Sequence, residues 1–90
     1  MSSIFQRMSI DDHFRLGYQY QTEGNLSAAA ECYMRSIELH PSAEAHTFLG
    51  WVLCLMGEVD NAINECKKAL KLNPQFGNAW NDMGVYLTKK

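Results

Sequence analysis

His46–Pro74 reads HTFLGWVLCLMGEVDNAINECKKALKLNP, and this stretch decides the fold. Two amphipathic runs flank a turn at Gly57 and Glu58, and an Asn-Pro pair closes the unit. Gly50 lies in the middle of the first run, where glycine costs about 1 kcal/mol relative to alanine. Such a cost indicates that another backbone approaches closely, and the small Ala62 in the second run is the expected partner. The stretch therefore predicts two helices packed at close range.

The same unit occurs more than once, at a period of about 34 residues. The matched positions are Gly17, Gly50 and Gly84; Gly24 and Gly57; Ala29 and Ala62; Pro41 and Pro74; Leu16 and Leu49; Leu39 and Leu72; and His13 and His46. A period of this length indicates stacked helical hairpins, because each hairpin leaves one apolar face bare and its neighbour covers it. The sequence predicts an all-α fold of tandem antiparallel helix-turn-helix repeats, an α-solenoid, with five helices near residues 10–22, 26–39, 43–56, 59–72 and 76–88.

Local signals support these helix boundaries. Asn25 and Ser42 are residue types that cap helix N-termini, and each precedes an apolar periodic run. Pro41 pushes His40 out of helical space and so ends the second helix. Residues 1–9 form a lead-in, in which the apolar Ile4, Phe5 and Met8 either fold back onto the first hairpin or fray.

Composition limits the possible functions. The chain has 90 residues, which is enough for one domain. Its formal net charge is −2, so it lacks the excess of positive charge that is typical of a nucleic-acid-binding protein. No apolar run reaches the length of a membrane span, and the N-terminus has no signal-peptide core. Cys32, Cys54 and Cys66 are odd in number and lack CxxC spacing, which favours reduced thiols and a cytoplasmic location.

The matched residues resemble the tetratricopeptide repeat (TPR), whose signature is W-x2-L-G-x2-Y, A-x3-F and P within each repeat. The first repeat has His13, Leu16, Gly17, Tyr20, Ala29, Tyr33 and Pro41; the second has His46, Leu49, Gly50, Leu53, Ala62, Cys66 and Pro74; the third begins with Trp80, Met83, Gly84 and Leu87. Histidine replaces the family's tryptophan twice, and Cys66 replaces its aromatic residue. The expected units are a lead-in at 1–9 and a TPR-like domain at 10–90, with repeats of about 10–42 and 43–76 and a half-repeat at 77–90.

The resemblance implies a right-handed superhelix in which the first helix of each pair lines a concave groove that binds peptides or helices of partner proteins. The residues expected along this groove are Asp11, Phe14, Tyr18 and Gln21 in the first repeat; Glu44, Thr47, Phe48, Trp51, Cys54 and Leu55 in the second; and Asn78, Asn81, Asp82, Val85 and Thr88 in the third. Tyr18, Trp51 and Val85 are equivalent and should line up, with aromatic side chains as anchors. Asn78 and Asn81 are candidates for bonding a peptide backbone. Phe14 and Phe48 have an alternative place in the core between repeats.

One subgroup of the family grips the C-terminal carboxylates of heat-shock chaperones with lysine, asparagine and arginine at five groove sites. Here those sites hold Phe14, Tyr18, Phe48, Asn78 and Asp82. Four of the five lack the required chemistry, and the Asp82 carboxylate would repel another carboxylate. The resemblance therefore excludes membership in that subgroup.

Catalysis and metal binding lack support in the sequence. His46 and Cys54 are eight residues apart on one predicted helix, about 12 Å by helical rise, too far for a nucleophile and its base. The cysteines and histidines have no metal-ligand spacing, and His13 and His46 occupy equivalent positions that favour a packing role. We expect no enzyme activity, no cofactor and no metal.

Two functional hypotheses remain. The first is a protein–protein interaction module that binds a peptide or helix in an apolar, aromatic groove. The second is a structural module whose repeats mediate self-assembly or scaffolding. The last predicted helix carries Trp80, Met83 and Leu87 on the stripe that a companion helix would cover. Bare apolar surface there predicts self-association into a homo-oligomer, as a dimer that packs or swaps helices, or a place within a longer repeat chain.

Overall fold

The computed structural model describes residues 10–90, which form five α-helices. They are α1 (Ile10–Thr22), α2 (Leu26–Leu39), α3 (Ala43–Leu55), α4 (Val59–Leu72) and α5 (Gly77–Lys89). The all-α prediction is confirmed, and each helix begins and ends within one residue of its predicted bounds. The lead-in at 1–9, with the expected contacts of Ile4, Phe5 and Met8, lies outside the described residues, as does the side chain of Asp11.

Two glycines make the turns within the hairpins. Gly24 and Gly57 have φ values of 85° and 88°, a backbone conformation that side chains with a Cβ rarely adopt. At the second turn the N–H of Gly57 donates to the carbonyl of Cys54 at 3.0 Å, and the N–H of Glu58 donates to that of Leu53 at 2.8 Å. These bonds satisfy carbonyls at the end of α3 and reverse the chain, as the matched glycines predict.

The helix ends follow the local signals of the sequence. The side chain of Asn25 accepts from the N–H of Ala28 at 3.3 Å, and the hydroxyl of Ser42 accepts from the N–H of Ala45 at 3.1 Å. Both predicted N-caps are thus confirmed. His40 is extended, with φ of −160° and ψ of 98°, as expected for the residue before a proline.

Close approach between paired helices depends on the matched glycines. A Cβ built at Gly50 would lie 3.1 Å from the carbonyl oxygen of Ala62, which confirms the predicted contact of α3 with α4. A Cβ at Gly17 would lie 2.7 Å from the ring of Tyr33. Apart from the adjoining backbone of its own helix, nothing lies within 4 Å of the corresponding point at Gly84, because no companion helix packs against that face of α5 in the described part of the chain.

The buried residues form a core that runs between successive hairpins. The first cluster joins α2 to α3 and contains Ala29, Ala30, Tyr33, Leu49 and Val52. The second joins α4 to α5 and contains Ala62, Ile63, Cys66 and Tyr86. Helices α3 and α5 are each antiparallel to α4, so they run side by side in the same direction, and the space between them becomes the candidate site. No helix among residues 10–90 has the length and apolarity needed to cross a membrane.

Candidate peptide-binding groove

A concave cavity of about 780 Å³ lies between α3 and α5, and we name it the α3–α5 groove. Its lining residues are Glu44, Thr47, Phe48, Trp51, Cys54 and Leu55 from α3, Phe76 before α5, and Asn78, Asp82, Val85, Tyr86 and Lys89 from α5. The spacings of three and four along each helix place these residues on one face. The groove therefore extends along both helices, from their first turns to their last.

The walls of the groove are largely apolar and open to solvent. Trp51 is 44% exposed and Val85 is 45% exposed, although both are large apolar side chains. Leu55 is also exposed, at the far end of α3. Half-exposed aromatic and aliphatic side chains around a concave surface are typical of a binding site for another protein.

An aromatic cluster leads from the groove toward α1. The ring of Phe48 contacts the rings of Trp51 and Tyr18, each with a centroid separation of 6.2 Å, and that of Phe14 at 4.9 Å. Phe48 thus belongs both to the groove and to the packing between repeats. Tyr18 lies outside the cavity but is half exposed, and Phe48 joins it to Trp51. Tyr18, Phe48 and Trp51 therefore form one continuous aromatic surface from α1 to the groove.

Two residues of α1 expected along the groove have other roles. Phe14 does not line the cavity; its ring packs against Phe48 and lies 5.5 Å from that of Tyr33, which supports the alternative of a place between repeats. Gln21 also lies away from the cavity, because its side-chain oxygen accepts from the hydroxyl of Tyr33 at 2.7 Å. Burial raises the pKa of Tyr33 to about 12, so the phenol keeps its proton and donates in this bond.

Other expected groove residues divide between the cavity and its surroundings. Thr47 and Cys54 line the cavity, and the buried Thr47 hydroxyl donates to the carbonyl of Ala43 at 2.8 Å. Asn81 is exposed and lies outside the cavity. Thr88 also lies outside, and its hydroxyl donates to the carbonyl of Val85 at 2.6 Å. Helix α5 is rotated so that the face with Asn78, Asp82 and Val85 lies toward α3, and Asn81 lies outside that face.

The polar groups of the cavity are few and unevenly distributed. Glu44 and Asn78 lie in the first turns of α3 and α5, Asp82 in the second turn of α5, and Lys89 at its end. Burial raises the pKa of the Asp82 carboxyl above its ordinary value, because the charged form loses solvation. The site therefore combines largely apolar walls with two carboxylates, those of Glu44 and Asp82, toward one end and the ammonium group of Lys89 at the other.

Sequence reasoning missed three lining residues, Phe76, Tyr86 and Lys89. The repeat period contained a signal for one of them, because Lys89 lies one period after Leu55, which was expected in the groove. Tyr86 lies one period after Val52, which is buried and does not line the groove, so the period gave no signal for Tyr86. Tyr86 is buried beside Cys66 in the second core cluster. Burial is the main cause that raises the pKa of its phenol, and the negative charge of the nearby Asp82 raises it further. Phe76 precedes its helix, where the helical repeat offers no register.

The three cysteines are free thiols with different surroundings. Cys66 is fully buried, and burial raises the pKa of its thiol to about 11. Burial also raises the pKa of the half-buried Cys32. Cys54 lines the groove. Among residues 10–90 no three histidine, cysteine or acidic side chains lie close enough together to hold a metal ion.

A buried polar pair joins α3 to α4. The Nδ1 atom of His46 lies 2.7 Å from the Oε1 atom of Glu65, and both side chains are about nine-tenths buried. Lys68 Nζ donates to the other carboxylate oxygen at 3.2 Å. His46 occupies the position at which the TPR signature has tryptophan, so its packing role is retained and a hydrogen bond across the helix pair is added.

The face of α5 that was expected to be bare is only partly so. Trp80 and Leu87 are each 55% exposed, and the indole N–H of Trp80 donates to the carbonyl of Pro74 at 2.8 Å. The expectation that Met83 is bare is wrong, because its half-buried side chain packs against the second core cluster. Met83 lies nearer the α4-facing side of α5 than the repeat pattern indicated.

Comparison with known proteins agrees with this architecture. Tetratricopeptide repeat family profiles match residues 13–42 and 43–76. Small glutamine-rich tetratricopeptide repeat-containing protein 2 of Mycosarcoma maydis is 30% identical over 82 residues, covering 82% of this chain and 23% of the relative. The chain therefore spans less than a quarter of that relative's length.

Solved structures have the same fold. MamA has a TM-score of 0.86 at 29% identity, covering 91% of this chain and 48% of MamA. The first TPR of Spaghetti (RPAP3), bound to an HSP90 peptide, has a TM-score of 0.84 at 19% identity, covering 86% of this chain and 63% of that one. The second TPR of the same protein, also bound to an HSP90 peptide, has a TM-score of 0.85 at 19% identity, covering 98% of this chain and 82% of that one. Together with the family profiles across residues 13–76, these findings show that the chain belongs to the tetratricopeptide repeat family.

Proposed function

We propose that this chain is a protein–protein interaction module and that the α3–α5 groove binds a peptide or helix of a partner. The observation that carries the proposal is an open cavity of about 780 Å³ whose apolar walls include the half-exposed Trp51 and Val85. Water is a poor solvent for such a surface, so its burial by a partner is favourable by about 25 cal/mol per Å². We further propose that residues 10–90 act as one binding unit with repeats at about 10–42, 43–76 and 77–90.

The ligand chemistry should differ from that of a chaperone carboxylate. The fold of residues 10–90 is one on which RPAP3 holds an HSP90 peptide, but at 19% identity this likeness concerns the fold alone. Phe48, Asn78 and Asp82 stand at three of the carboxylate-gripping sites of the family and line the groove here. Of these only Asn78 can donate a hydrogen bond to a carboxylate, and the Asp82 carboxylate would repel one, so an apolar ligand fits the groove better.

Trp51→Ala and Tyr18→Ala should each weaken the binding of a groove ligand by more than about 1 kcal/mol, or roughly fivefold. Both rings are about half exposed and contact Phe48, so truncation removes area that a ligand would cover. A phage-displayed library of random peptides, selected on the full chain, would supply the ligand. The affinity of a synthetic copy of the most enriched peptide would be measured by fluorescence anisotropy.

Met34→Ala is the matched control, because Met34 is an exposed apolar side chain of α2 that does not line the groove. It should leave the peptide affinity unchanged, and circular dichroism should show intact helices in all three variants. If Trp51→Ala and Tyr18→Ala unfold the chain, the rings belong to the core. If selection enriches no peptide, the groove is not a peptide-binding site.

A second candidate function is self-assembly through α5, which the exposure of Trp80 and Leu87 favours. Burying these two side chains against a second copy would remove apolar surface from water. At tens of micromolar protein we expect light scattering after gel filtration to give a mass above that of a monomer.

Leu87→Lys should shift this mass toward the monomer, since it places a charge in the proposed interface. Leu39→Lys is the control, because Leu39 is equally exposed on α2 and distant from α5 in sequence. A monomer for the unchanged chain at this concentration would rule out self-assembly by this face and leave the peptide-binding proposal standing.

A further inference from the structure

We propose that the α3–α5 groove selects partner segments that place a lysine or arginine among apolar side chains, with Asp82 as the carboxylate that receives the cation. This inference rests on the proposed peptide-binding function and names the chemistry of its ligand. It follows from the position of Asp82, from the charges around it and from the apolar surface beside it.

Asp82 is one of the residues that line the cavity. It is half-buried in the second turn of α5, between Asn78 and Val85 on the same helical face. Within residues 10–90 its carboxylate makes no hydrogen bond and no ion pair. A carboxylate that has lost part of its solvation without gaining a donor is a favourable site for a donor brought by a ligand.

No lysine or arginine among residues 10–90 forms an ion pair with Asp82. Lys89 is the one lysine or arginine of the described residues that lines the cavity, and it lies seven residues further along α5, about 10 Å by helical rise. Glu44, at the opposite wall, has the same sign as Asp82. Lys68 is paired with Glu65, and Lys90 with Asp60. The half of the groove nearest the helix N-termini thus has two carboxylates and no lysine or arginine among its described lining residues.

The surroundings of Asp82 also suit the stem of a long cationic side chain. The half-exposed Trp51 lines the same cavity, and aromatic faces attract lysine and arginine side chains. The methylene groups of such a side chain can cover the apolar walls while its charged end reaches the carboxylate. An acidic ligand would instead meet repulsion from Asp82 and Glu44. The groove therefore favours a basic, apolar segment and disfavours an acidic one.

The experiment compares peptide selection on the full chain with selection on Asp82→Asn, using the same phage-displayed random library. On the unchanged chain we expect enriched peptides to share leucine or aromatic residues with at least one lysine or arginine. A synthetic copy of the most enriched peptide and a second copy with that cation replaced by glutamine would then be titrated against both proteins. The unchanged chain should prefer the cationic peptide by about tenfold, and Asp82→Asn should lose this preference.

Asp60→Asn is the matched control, because it makes the same substitution at an exposed residue that does not line the groove. It should keep the tenfold preference. Enriched apolar peptides without an excess of cations, or an equal preference in Asp82→Asn, would overturn the charge selectivity while leaving the peptide-binding function intact. Enrichment of no peptide would overturn both.

Two other occupants of the groove have distinct signatures. A peptide affinity that rises in Arg7→Gln would mean that the chain's own residues 1–9 compete for the groove, since this segment has an arginine beside apolar residues. An apparent affinity that falls as the protein is concentrated would mean that a second copy fills it. Either result would overturn a separate partner as the principal ligand.

Discussion

Gly50→Leu should reduce the free energy of unfolding by at least about 3 kcal/mol. A Cβ at this position would lie 3.1 Å from the carbonyl oxygen of Ala62 and 3.4 Å from the Cβ of Glu65. The first of these atoms belongs to the backbone of α4, so it cannot move aside without moving the helix. The remaining carbons of a leucine can fit only if α3 and α4 separate, and separation loses packing along both helices. Urea denaturation followed by circular dichroism measures the effect.

Gly84→Leu is the matched control for this prediction. Gly84 occupies the equivalent position one repeat later, but apart from the adjoining backbone of its own helix nothing lies within 4 Å of a Cβ built there. In that open position the substitution should stabilise the helix by up to about 1 kcal/mol, because leucine is the better helix former. An unchanged denaturation midpoint in Gly50→Leu would contradict the close approach of α3 and α4.

His46→Ala should destabilise the chain by about 3 kcal/mol. The ring is 8% exposed, and its Nδ1 atom lies 2.7 Å from the carboxylate of Glu65, which is itself buried. Removing the ring takes a hydrogen-bond partner from that carboxylate and leaves a gap between α3 and α4. Lys68 still donates to the other oxygen, but its largely exposed side chain cannot fill the space. Thermal and urea denaturation would both report the loss.

Two further variants test whether the pair, and not the ring volume alone, is responsible. His13→Ala removes the equivalent histidine of the first repeat, where the residue corresponding to Glu65 is Cys32, and should cost clearly less. In a double-mutant cycle, His46→Ala with Glu65→Ala should cost less than the sum of the single changes, by about 1 kcal/mol or more. Additive costs would mean that the two side chains do not stabilise each other.

The fold could be predicted in detail because its determinants are local or periodic. Gly24 and Gly57 mark the turns since few other residues adopt their positive φ, and Asn25 and Ser42 cap the helices that follow them. The repeated spacing then places one hairpin against the next. Even the contact of Gly50 with Ala62 could be predicted, because both small residues recur at the repeat period.

The candidate site could be predicted only in part. Thr47, Trp51, Cys54, Asn78 and Val85 were expected along the groove and line the α3–α5 cavity, whereas Phe14, Tyr18, Gln21 and Asn81 do not line it. A helical pattern tells which residues share a face, but a small rotation of the helix about its axis exchanges the residues at the edges of that face. Asn81 and Tyr86 lie near the two edges of the groove-facing side of α5. The rotation of this helix buries Tyr86 and leaves Asn81 exposed.

By itself the sequence determined the number, order and ends of the helices in the described part of the chain, because turns, caps and prolines act over a few residues. Only the tertiary structure decided where the cavity lies, that Met83 packs inward, that His46 meets Glu65, and that Asp82 has no opposing charge beside it among residues 10–90. These features depend on how side chains of unequal size, such as Tyr33 in one repeat and Cys66 in the next, set the distance and rotation of neighbouring helices. That packing is a property of the whole array, so no single repeat contains it.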